Sequence, residues 1–257
     1  MTRNQTSAPA QEQPAPTLAT KGLTKRFGSF VAVDQVSMAI PTGEFHSIIG
    51  PNGAGKTTLF NMLAGALSPS EGHIMYRGTE ITDVSEDQRA RMGISRSFQI
   101  TELFSEFTVH ENLRLAAQSQ AQDFNPLHTT DPALAERAAD VLDMLDLDAD
   151  AGTIAKTLSH GDKKKLEIGM VLITDPSVLL LDEPTSGISE ADVPAVMDLI
   201  TDATADRTVL LIEHDVDLVL DLSDRITVLN RGAVISRGTP AEIVEDPNVQ
   251  EAYMGDY

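Results

Sequence analysis

One nine-residue stretch in the first quarter of the chain constrains the fold more than any other feature. It matches the pattern G-x-x-x-x-G-K-[ST] at every fixed position and lies between an apolar run, 47–49, and a helix-compatible run, 58–63. A strand, a glycine-rich turn and a helix are therefore predicted in succession. The stretch consists of Gly50, Pro51, Asn52, Gly53, Ala54, Gly55, Lys56, Thr57 and Thr58.

A loop of this kind is suited to holding phosphate groups. Glycines let successive backbone N–H groups curve around phosphate oxygens, and the helix that follows directs its positive end to the same point. The Lys56 side chain is long enough to reach β- and γ-phosphates, and the Thr57 hydroxyl is a ligand for Mg²⁺. Alone, the loop predicts only that the chain binds a nucleoside triphosphate.

Composition excludes several classes of protein. The chain has 257 residues, enough for one large or two small domains, and it has no cysteine for disulfides, thiolate metal sites or a cysteine nucleophile. Its net charge of −20 argues against nucleic acid as a partner, because nucleic-acid-binding proteins carry basic patches. The excess of acidic residues either only keeps the protein soluble or indicates a cytosol with a high salt concentration. The scarcity of lysine, seven against twelve arginines, favours the second explanation.

Targeting and membrane segments are not expected in this sequence. The first twenty residues lack the apolar core of a secretory signal, and residues 1–17, rich in Gln, Ala and Pro, are predicted to form a disordered tail. The longest apolar run lies around residues 178–181, far short of the roughly 18 residues that cross a bilayer. Work at a membrane would therefore require a partner protein.

The order of apolar and polar segments predicts an α/β fold. Residues 18–40 alternate in polarity, which indicates two antiparallel strands joined by a turn at Gly28 and Ser29. After residue 178, short apolar strands alternate with helices, a pattern typical of a mostly parallel sheet with helices on both faces. Residues from about 100 to 165 are helix-forming. We therefore predict one domain, 18–257: a P-loop NTPase core with an N-terminal antiparallel β subdomain and an inserted helical subdomain.

Two adjacent acids follow the apolar strand at 178–181. Asp182 is placed to hold Mg²⁺, either directly or through water, and Glu183, pointing elsewhere from the strand end, is a candidate to polarise an attacking water. Neighbouring carboxylates repel each other unless a cation and different roles separate them. The phosphate loop upstream makes a metal-dependent pair the preferred interpretation.

Four further features, in this order and spacing, give the chain a specific resemblance. Phe27 follows a Lys-Arg pair, Gln99 follows a predicted strand, the segment Leu158–Asp162 reads Leu-Ser-His-Gly-Asp, and His214 follows the apolar run 210–212. With the loop and the two acids, these features resemble the adenine-stacking aromatic, Q-loop, signature motif and switch histidine of ATP-binding cassette (ABC) ATPases. The resemblance extends from about residue 18 to residue 257.

The resemblance implies a role for each matching residue. Phe27 would stack on adenine, the backbone from Asn52 to Thr58 and Lys56 would bind phosphates, and Glu183 would be the general base. His214 would contact the γ-phosphate and the attacking water. Ser159 and Gly161 would begin a helix that faces the ATP of the opposite subunit, in a head-to-tail homodimer or heterodimer of cassettes. Mg²⁺ would be bound by three residues: Thr57, Gln99 and Asp182.

Three positions depart from the common family pattern. His160 stands where glycine is usual in the signature motif, and Asp162 stands where glutamine is usual. Asp162 brings a negative charge near a phosphate-facing helix end, but an acid also favours a helix start, so we expect it to act in capping. Ser189 replaces the usual acid of the D-loop, which leaves signalling between subunits at that point open.

Several stretches resemble one branch of the family, the ATP-binding subunits of branched-chain amino-acid importers. These stretches are residues 91–99, 107–113, 212–215 and 238–255, and urea importer and lipopolysaccharide exporter ATPases share much of them. The resemblance implies membrane permease subunits and an extracytoplasmic solute-binding protein as partners, with this chain at the cytoplasmic face of the membrane. A permease helix would dock beside Gln99, where Phe98, Ile100, Leu103 and Phe104 either line the groove or pack in the core.

Two other classes remain as alternatives. A soluble ABC ATPase that acts on DNA or ribosomes would usually carry tandem cassettes or basic patches, and this acidic chain has one cassette. A regulatory cassette without catalysis is disfavoured because Lys56, Asp182, Glu183 and His214 are all present. The preferred hypothesis is therefore an ATPase subunit that energises an importer, with ATP and Mg²⁺ in its site.

Overall fold

A computed structural model of the chain describes residues 16–97, 103–118 and 132–254. Strands and helices alternate through most of this length, as the sequence predicts. Four of the elements are not expected from the sequence pattern: the strands Thr79–Glu80 and Ala233–Gly238 and the helices Pro240–Glu245 and Pro247–Met254. In chain order the elements are β1 Leu18–Phe27, β2 Phe30–Ile40, β3 Phe45–Ile49, α1 Lys56–Ala64, β4 Glu71–Tyr76, β5 Thr79–Glu80, α2 Glu86–Arg91, β6 Ile94–Ser97, α3 Val109–Gln118, α4 Pro132–Met144, α5 His160–Leu172, β7 Val178–Asp182, α6 Val193–Thr204, β8 Thr208–Ile212, α7 Val216–Leu222, β9 Arg225–Asn230, β10 Ala233–Gly238, α8 Pro240–Glu245 and α9 Pro247–Met254.

The N-terminal strands form a separate antiparallel sheet in the order β2-β1-β4-β5. The predicted hairpin is confirmed: β1 pairs antiparallel with β2, and the turn at Gly28 and Ser29 leaves Phe27 opposite Phe30. Thr17 is already part of this structure, because its hydroxyl contacts the Thr42 hydroxyl at 2.6 Å and its side chain is buried. Contacts of the N-terminal sheet region therefore include Thr17, the residue before Leu18.

The second sheet carries the P-loop core, with strand order β10-β9-β3-β8-β7-β6. All neighbours from β9 to β6 pair in parallel, and β10 pairs antiparallel with β9 at the edge. This arrangement confirms the predicted fold class. Because the phosphate loop follows a central strand, β3, the helix α1 that continues from the loop lies near the middle of the sheet.

Both faces of the parallel sheet are buried, which explains why its strands are continuously apolar. Along β7, Leu179 and Leu181 pack into a core formed with α3 to α6, whereas Val178 and Leu180 pack into a second core formed with α1 and the N-terminal sheet. The alternation follows from the two-residue period of a strand. The sheet therefore separates two hydrophobic cores and fixes the position of the helices on either side.

The helices α3, α4 and α5 pack together on one side of this sheet. Apolar residues recur at three- and four-residue spacing in α4 and just after it: Ala138, Val141, Leu142 and Leu145 are buried, and Leu134 is partly buried against the same core. Gly169 of α5 allows the close approach, because a Cβ there would lie 2.4 Å from Leu145 Cδ1. The helix α4 begins at Pro132, and α5 begins at His160 with Ser159 as its N-cap.

The largest fully buried side chain, that of Arg89 in α2, connects three segments. Its guanidinium donates hydrogen bonds to backbone carbonyls at the end of α1, Met62 and Leu63, each at 2.7 Å. Further bonds reach the carbonyls of Val84, Ile81 and Thr82. Burial lowers its pKa to about 10, so the group remains a cation at neutral pH. Arg89 thus satisfies the C-terminal carbonyls of the helix that begins at the phosphate loop.

Replacing Arg89 by glutamine should therefore destabilise the protein strongly. Arg89→Gln leaves buried carbonyls without donors, and we expect the free energy of unfolding to fall by about 4 kcal/mol. Urea denaturation measures the change. The control is Arg91→Gln on the same helix, whose exposed side chain predicts a change below about 0.5 kcal/mol. Equal effects of the two substitutions would contradict the role of Arg89.

Candidate nucleotide-binding site

The phosphate loop, Asp182, Glu183 and His214 meet at one edge of the parallel sheet. The phosphate loop follows β3, Asp182 ends β7 with Glu183 directly after it, and His214 lies two residues beyond the end of β8. These strands are parallel neighbours, so their carboxyl ends lie side by side. Ligands of open α/β sheets bind at this edge. Gln99, with Phe98 and Ile100, lies outside the described residues.

The phosphate loop is held in place by close backbone contacts. Gly50 has φ 151° and Gly55 has φ 100°, conformations that favour glycine. A Cβ at Gly50 would lie 2.1 Å from the Leu229 carbonyl oxygen, and one at Gly55 would lie 2.3 Å from that of Ala32. Both glycines are therefore required by the approach of β9 and β2. Gly55 also occupies the N-cap position of α1, which directs the start of this helix into the loop.

Lys56 lies folded against its own loop. Its ammonium donates hydrogen bonds to the carbonyl of Gly50 at 2.6 Å and to that of Pro51 at 3.2 Å, and the residue is 7% exposed. Burial lowers the pKa of Lys56, and the nearby charges of Glu183 and Asp182 act in the opposite direction. The loop and the two acids are thus close enough for their charges to interact.

The two adjacent acids point to different partners. Asp182 Oδ2 accepts a hydrogen bond from Arg96 Nη2 at 2.7 Å. Glu183 has φ 50°, a left-handed conformation uncommon for a residue with a side chain, and its Oε1 lies 2.8 Å from His214 Nε2. The turn in the backbone after β7 therefore separates the two carboxylates, and each has a cationic or hydrogen-bonding partner of its own.

Glu213 is a structural member of the site that sequence reasoning missed. It is 5% exposed, and its Oε1 accepts hydrogen bonds from the Thr185 backbone N–H at 2.9 Å and hydroxyl at 2.6 Å. Its Oε2 accepts a bond from the His214 backbone N–H at 3.0 Å. Glu213 thereby joins the turns after β7 and β8. An acid directly after an apolar strand was the available signal.

A cleft of about 320 Å³ lies over the phosphate loop. Its lining includes Glu183 and His214 together with Phe30 and Ala32 of β2, neither of which is singled out by the sequence pattern. Phe27 does not line this cleft; it is 49% exposed, with Lys25 Nζ 5.3 Å from its ring centroid. The remaining lining residues belong to the loop: Asn52, Gly53, Ala54, Gly55, Lys56, Thr57 and Thr58.

The signature residues Ser159 and Gly161 are not among the residues that line this cleft. Ser159 is the N-cap of α5: its hydroxyl accepts from the Asp162 backbone N–H at 3.1 Å and donates to Asp162 Oδ2 at 2.7 Å. The expected capping role of Asp162 is therefore observed. Gly161 is closely covered by Asp192, since a Cβ there would lie 3.0 Å from the Asp192 Cγ. The Ser189 hydroxyl donates to Asp192 at 2.7 Å, so a carboxylate lies beside the D-loop despite the missing acid.

The C-terminal helix α9 also reaches the phosphate loop. Burial raises the pKa of Tyr253, and the Gly50 backbone, close to its hydroxyl, acts on this pKa in the opposite direction. A second cavity of about 610 Å³ lies between the loop and α9, bordered by Asn52, Arg231, Asn248 and Glu251 among others. The helix α9, which belongs to the stretch 238–255 that resembles importer subunits, therefore lies beside the phosphate loop.

The site fits a magnesium ion that is shared with a nucleotide. Within the described residues no cluster of three or more His, Cys, Asp or Glu side chains could hold a metal alone. Asp182 Oδ1, however, is buried without a hydrogen-bond partner, and Thr57, the second residue of α1, is exposed. Mg²⁺ is commonly bound by one or two protein oxygens together with substrate phosphates. The unpaired oxygen of Asp182 suits that arrangement.

The strand, loop and acids thus define the nucleotide site of a P-loop ATPase, and comparisons with known proteins specify the family. The family model described as "ABC transporter" matches residues 33–186, and the model described as "Branched-chain amino acid ATP-binding cassette transporter" matches residues 233–257. The chain belongs to the ABC transporter family, and its class of activity is that of an ABC ATPase.

Individual relatives agree with this assignment. The high-affinity branched-chain amino acid transport ATP-binding protein LivG of Salmonella typhimurium is 41% identical over 252 residues, covering 94% of this chain and 98% of LivG. The lipopolysaccharide export system ATP-binding protein LptB of Acidithiobacillus ferridurans is 35% identical over 240 residues, covering 93% and 97%. A solved ATP-binding cassette of an ABC transporter in its ADP conformation superposes with a TM-score of 0.83 at 31% identity, covering 93% and 98%.

Proposed function

We propose that this chain hydrolyses Mg²⁺-bound ATP as one cassette of a dimer and drives a membrane importer for branched-chain amino acids. The observation that carries the proposal is the assembly of Lys56, Asp182, Glu183 and His214 at one sheet edge, with the phosphate loop in their midst. The C-terminal match to branched-chain amino-acid cassettes supports the solute class.

Nucleotide binding would use the strained loop and the start of α1. Backbone N–H groups of residues 52–58 surround the phosphates, and the Lys56 ammonium exchanges its two carbonyl partners for phosphate oxygens. Thr57, Asp182 and Gln99 would hold Mg²⁺, which neutralises charge on the phosphates when bound. Adenine would stack on Phe27, and the position of Phe30 on the cleft adds a second aromatic ring at the same hairpin.

Hydrolysis would depend on the contact between Glu183 and His214. Glu183 accepts the proton of the attacking water, and His214 holds the carboxylate at 2.8 Å, oriented towards the cleft. The left-handed backbone at Glu183 keeps this carboxylate apart from Asp182, so one acid acts on water and the other on the metal. His214 would then also contact the γ-phosphate.

A second cassette would complete the site. Ser159 and Gly161 start α5 with its positive end free of the cleft of their own chain, and an anion from another subunit would fit there. The partner is a second copy or a related cassette in head-to-tail contact. The Asp192 side chain lies against Gly161 and accepts a hydrogen bond from the Ser189 hydroxyl. Closure of the dimer at the signature motif would therefore be transmitted to the D-loop.

The permease would dock on the helical subdomain, near Gln99. Leu103 packs against the core, whereas Phe104 is 49% exposed and stacks on Phe107 with ring centroids 5.7 Å apart. Exposed aromatic pairs of this kind suit protein interfaces. No helix within the described residues is long and apolar enough to cross a membrane. The chain would therefore sit at the cytoplasmic face through the permease, with a solute-binding protein on the other side.

Glu183→Gln tests the hydrolytic role. The amide cannot accept the proton, so we expect phosphate release to fall by about 10²–10⁴-fold while ATP stays bound and holds the dimer closed. Glu245→Gln, an exposed acid on α8, is the matched control and should hydrolyse ATP at the wild-type rate. Near-normal turnover by Glu183→Gln would refute the general-base assignment.

The same variant separates the candidate solutes. Cells whose only copy of this chain carries Glu183→Gln should lose uptake of radiolabelled leucine and keep uptake of urea and export of lipopolysaccharide. Leucine uptake that continues unchanged, or loss of urea uptake instead, would contradict the proposed solute class.

Phe104→Ala tests the docking surface. Truncating an interface aromatic typically costs more than about 1 kcal/mol, so we expect permease recovered with the tagged chain from detergent-solubilised membranes to fall several-fold. The basal ATPase activity should be unchanged. Val244→Ala, an exposed apolar residue on α8, should leave recovery intact. Full permease recovery with Phe104→Ala would place the interface elsewhere.

A further inference from the structure

A buried cation lies beside the metal-site acid, and the proposed mechanism does not use it. Arg96 lies in β6, next to β7 in the sheet, with its side chain 11% exposed. Its Nη2 donates to Asp182 Oδ2 at 2.7 Å, and its Nη1 donates to Asn61 Oδ1 at 2.6 Å. One guanidinium therefore joins the acid at the end of β7 to the helix α1.

This bridge leaves the two oxygens of Asp182 in different states. Oδ2 is held by Arg96, whereas Oδ1 is buried and has no hydrogen-bond partner among the described residues. A planar guanidinium with separate donors fixes the direction of a carboxylate in a way that a flexible ammonium does not. Arg96 thus orients the carboxylate so that one oxygen remains free.

The second end of the bridge lies on the same helix as the other proposed metal ligand. Asn61 follows Thr57 by four residues in α1, so both lie on one face of the helix, one turn apart. Arg96 therefore links Asp182 to the helix face that carries the Thr57 hydroxyl. Fixing the distance between these two oxygens is what an octahedral, geometrically demanding ion such as Mg²⁺ requires.

The nearby Lys56 explains why the acid needs a dedicated partner. The Asp182 side chain is 1% exposed, and its charge also acts on the Lys56 ammonium, so that without Arg96 a buried carboxylate would lie near this second cation. An ion pair between Asp182 and Lys56 would occupy the Asp182 oxygen that is left free for the metal. By pairing with Asp182, Arg96 keeps its carboxylate from forming an ion pair with the Lys56 ammonium.

We propose that Arg96 is a positioning residue of the magnesium site, which holds Asp182 Oδ2 and ties it through Asn61 to the Thr57 face of α1. This inference rests on the proposed use of Mg²⁺ in the nucleotide site. A cation so close to a metal ligand also opposes Mg²⁺ by charge repulsion. The bridging geometry makes orientation the larger effect, so that removal of Arg96 weakens Mg²⁺ binding instead of strengthening it.

The test measures how Mg²⁺ affects ADP binding, without any turnover. Fluorescence titration of the full chain with a labelled ADP, first in EDTA and then at increasing MgCl₂, gives the metal-free affinity and the Mg²⁺ concentration of half-maximal effect. For Arg96→Gln we expect that midpoint to rise about tenfold, equivalent to about 1.4 kcal/mol, with the metal-free affinity changed less than about twofold. Arg26→Gln, an exposed arginine paired with Glu71, is the control and should leave both values unchanged.

Two further single variants separate the effect of orientation from that of charge, and they keep the inference testable if Arg96→Gln does not fold. Asn61→Leu keeps Arg96 but removes the second acceptor, and should raise the Mg²⁺ midpoint about threefold, or about 0.7 kcal/mol. Arg96→Lys keeps the charge and loses the bridge, and should lie between wild type and Arg96→Gln. Combining Arg96→Gln with Asn61→Leu should raise the midpoint no further than Arg96→Gln alone, because both act through one bridge.

The outcomes distinguish this inference from the proposed function. A wild-type protein whose ADP binding ignores Mg²⁺ would overturn the metal site and the role of Arg96 with it. A wild type that responds to Mg²⁺, with an unchanged or lowered midpoint in Arg96→Gln, would overturn the role of Arg96 alone. So would full additivity in the double variant. If Arg96→Gln does not fold, unchanged midpoints in both Arg96→Lys and Asn61→Leu would overturn that role equally.

Discussion

The close packing of the phosphate loop against β9 and β2 is the constraint on which the rest of the structure depends. Gly50 and Gly55 lie so close to the carbonyls of Leu229 and Ala32 that any side chain would collide with them. These contacts fix the loop between the parallel sheet, at β9, and the antiparallel sheet, at β2. Since α1 starts at the loop, the same contacts determine where its positive end points. Arg89 secures the other end of α1 through carbonyl bonds to Met62 and Leu63.

Around the phosphate loop, the polar side chains are arranged in pairs that separate their roles. Asp182 faces Arg96, and Glu183 faces His214, although the two acids are adjacent in the sequence. The left-handed backbone at Glu183 makes this divergence possible. The Asp182–Arg96 pair is costly to break, because both side chains are largely buried and a lone buried charge loses its hydration without compensation. The Glu183–His214 pair lies open to the cleft, since the His214 side chain is 51% exposed.

The fold and the main site residues are predictable from the sequence because their signals are local. The loop motif, the apolar strand before Asp182 and the four-residue spacing of α4 each lie within one short segment. Arg89, Arg96 and Glu213 escape such reasoning because each has a distant partner. Arg89 bonds carbonyls of α1 that lie 26 and 27 residues away. Glu213 bonds Thr185 across 28 residues, and Arg96 bonds Asp182 across 86. Phe30 was missed because its place on the cleft depends on how the hairpin packs over the loop. Long-range packing, not local pattern, decides these contacts.

The dependence of nucleotide binding on Lys56 tests this view of the site most directly. Isothermal titration calorimetry of ADP with the wild-type chain and with Lys56→Ala, under identical Mg²⁺, measures what the folded-back ammonium contributes. Charge-assisted hydrogen bonds to phosphate oxygens are worth about 1.5–3 kcal/mol each, so the variant should bind at least about tenfold more weakly while its unfolding temperature in the absence of nucleotide stays close to that of the wild type. Equal affinity of the two proteins would contradict a phosphate-binding role for the loop.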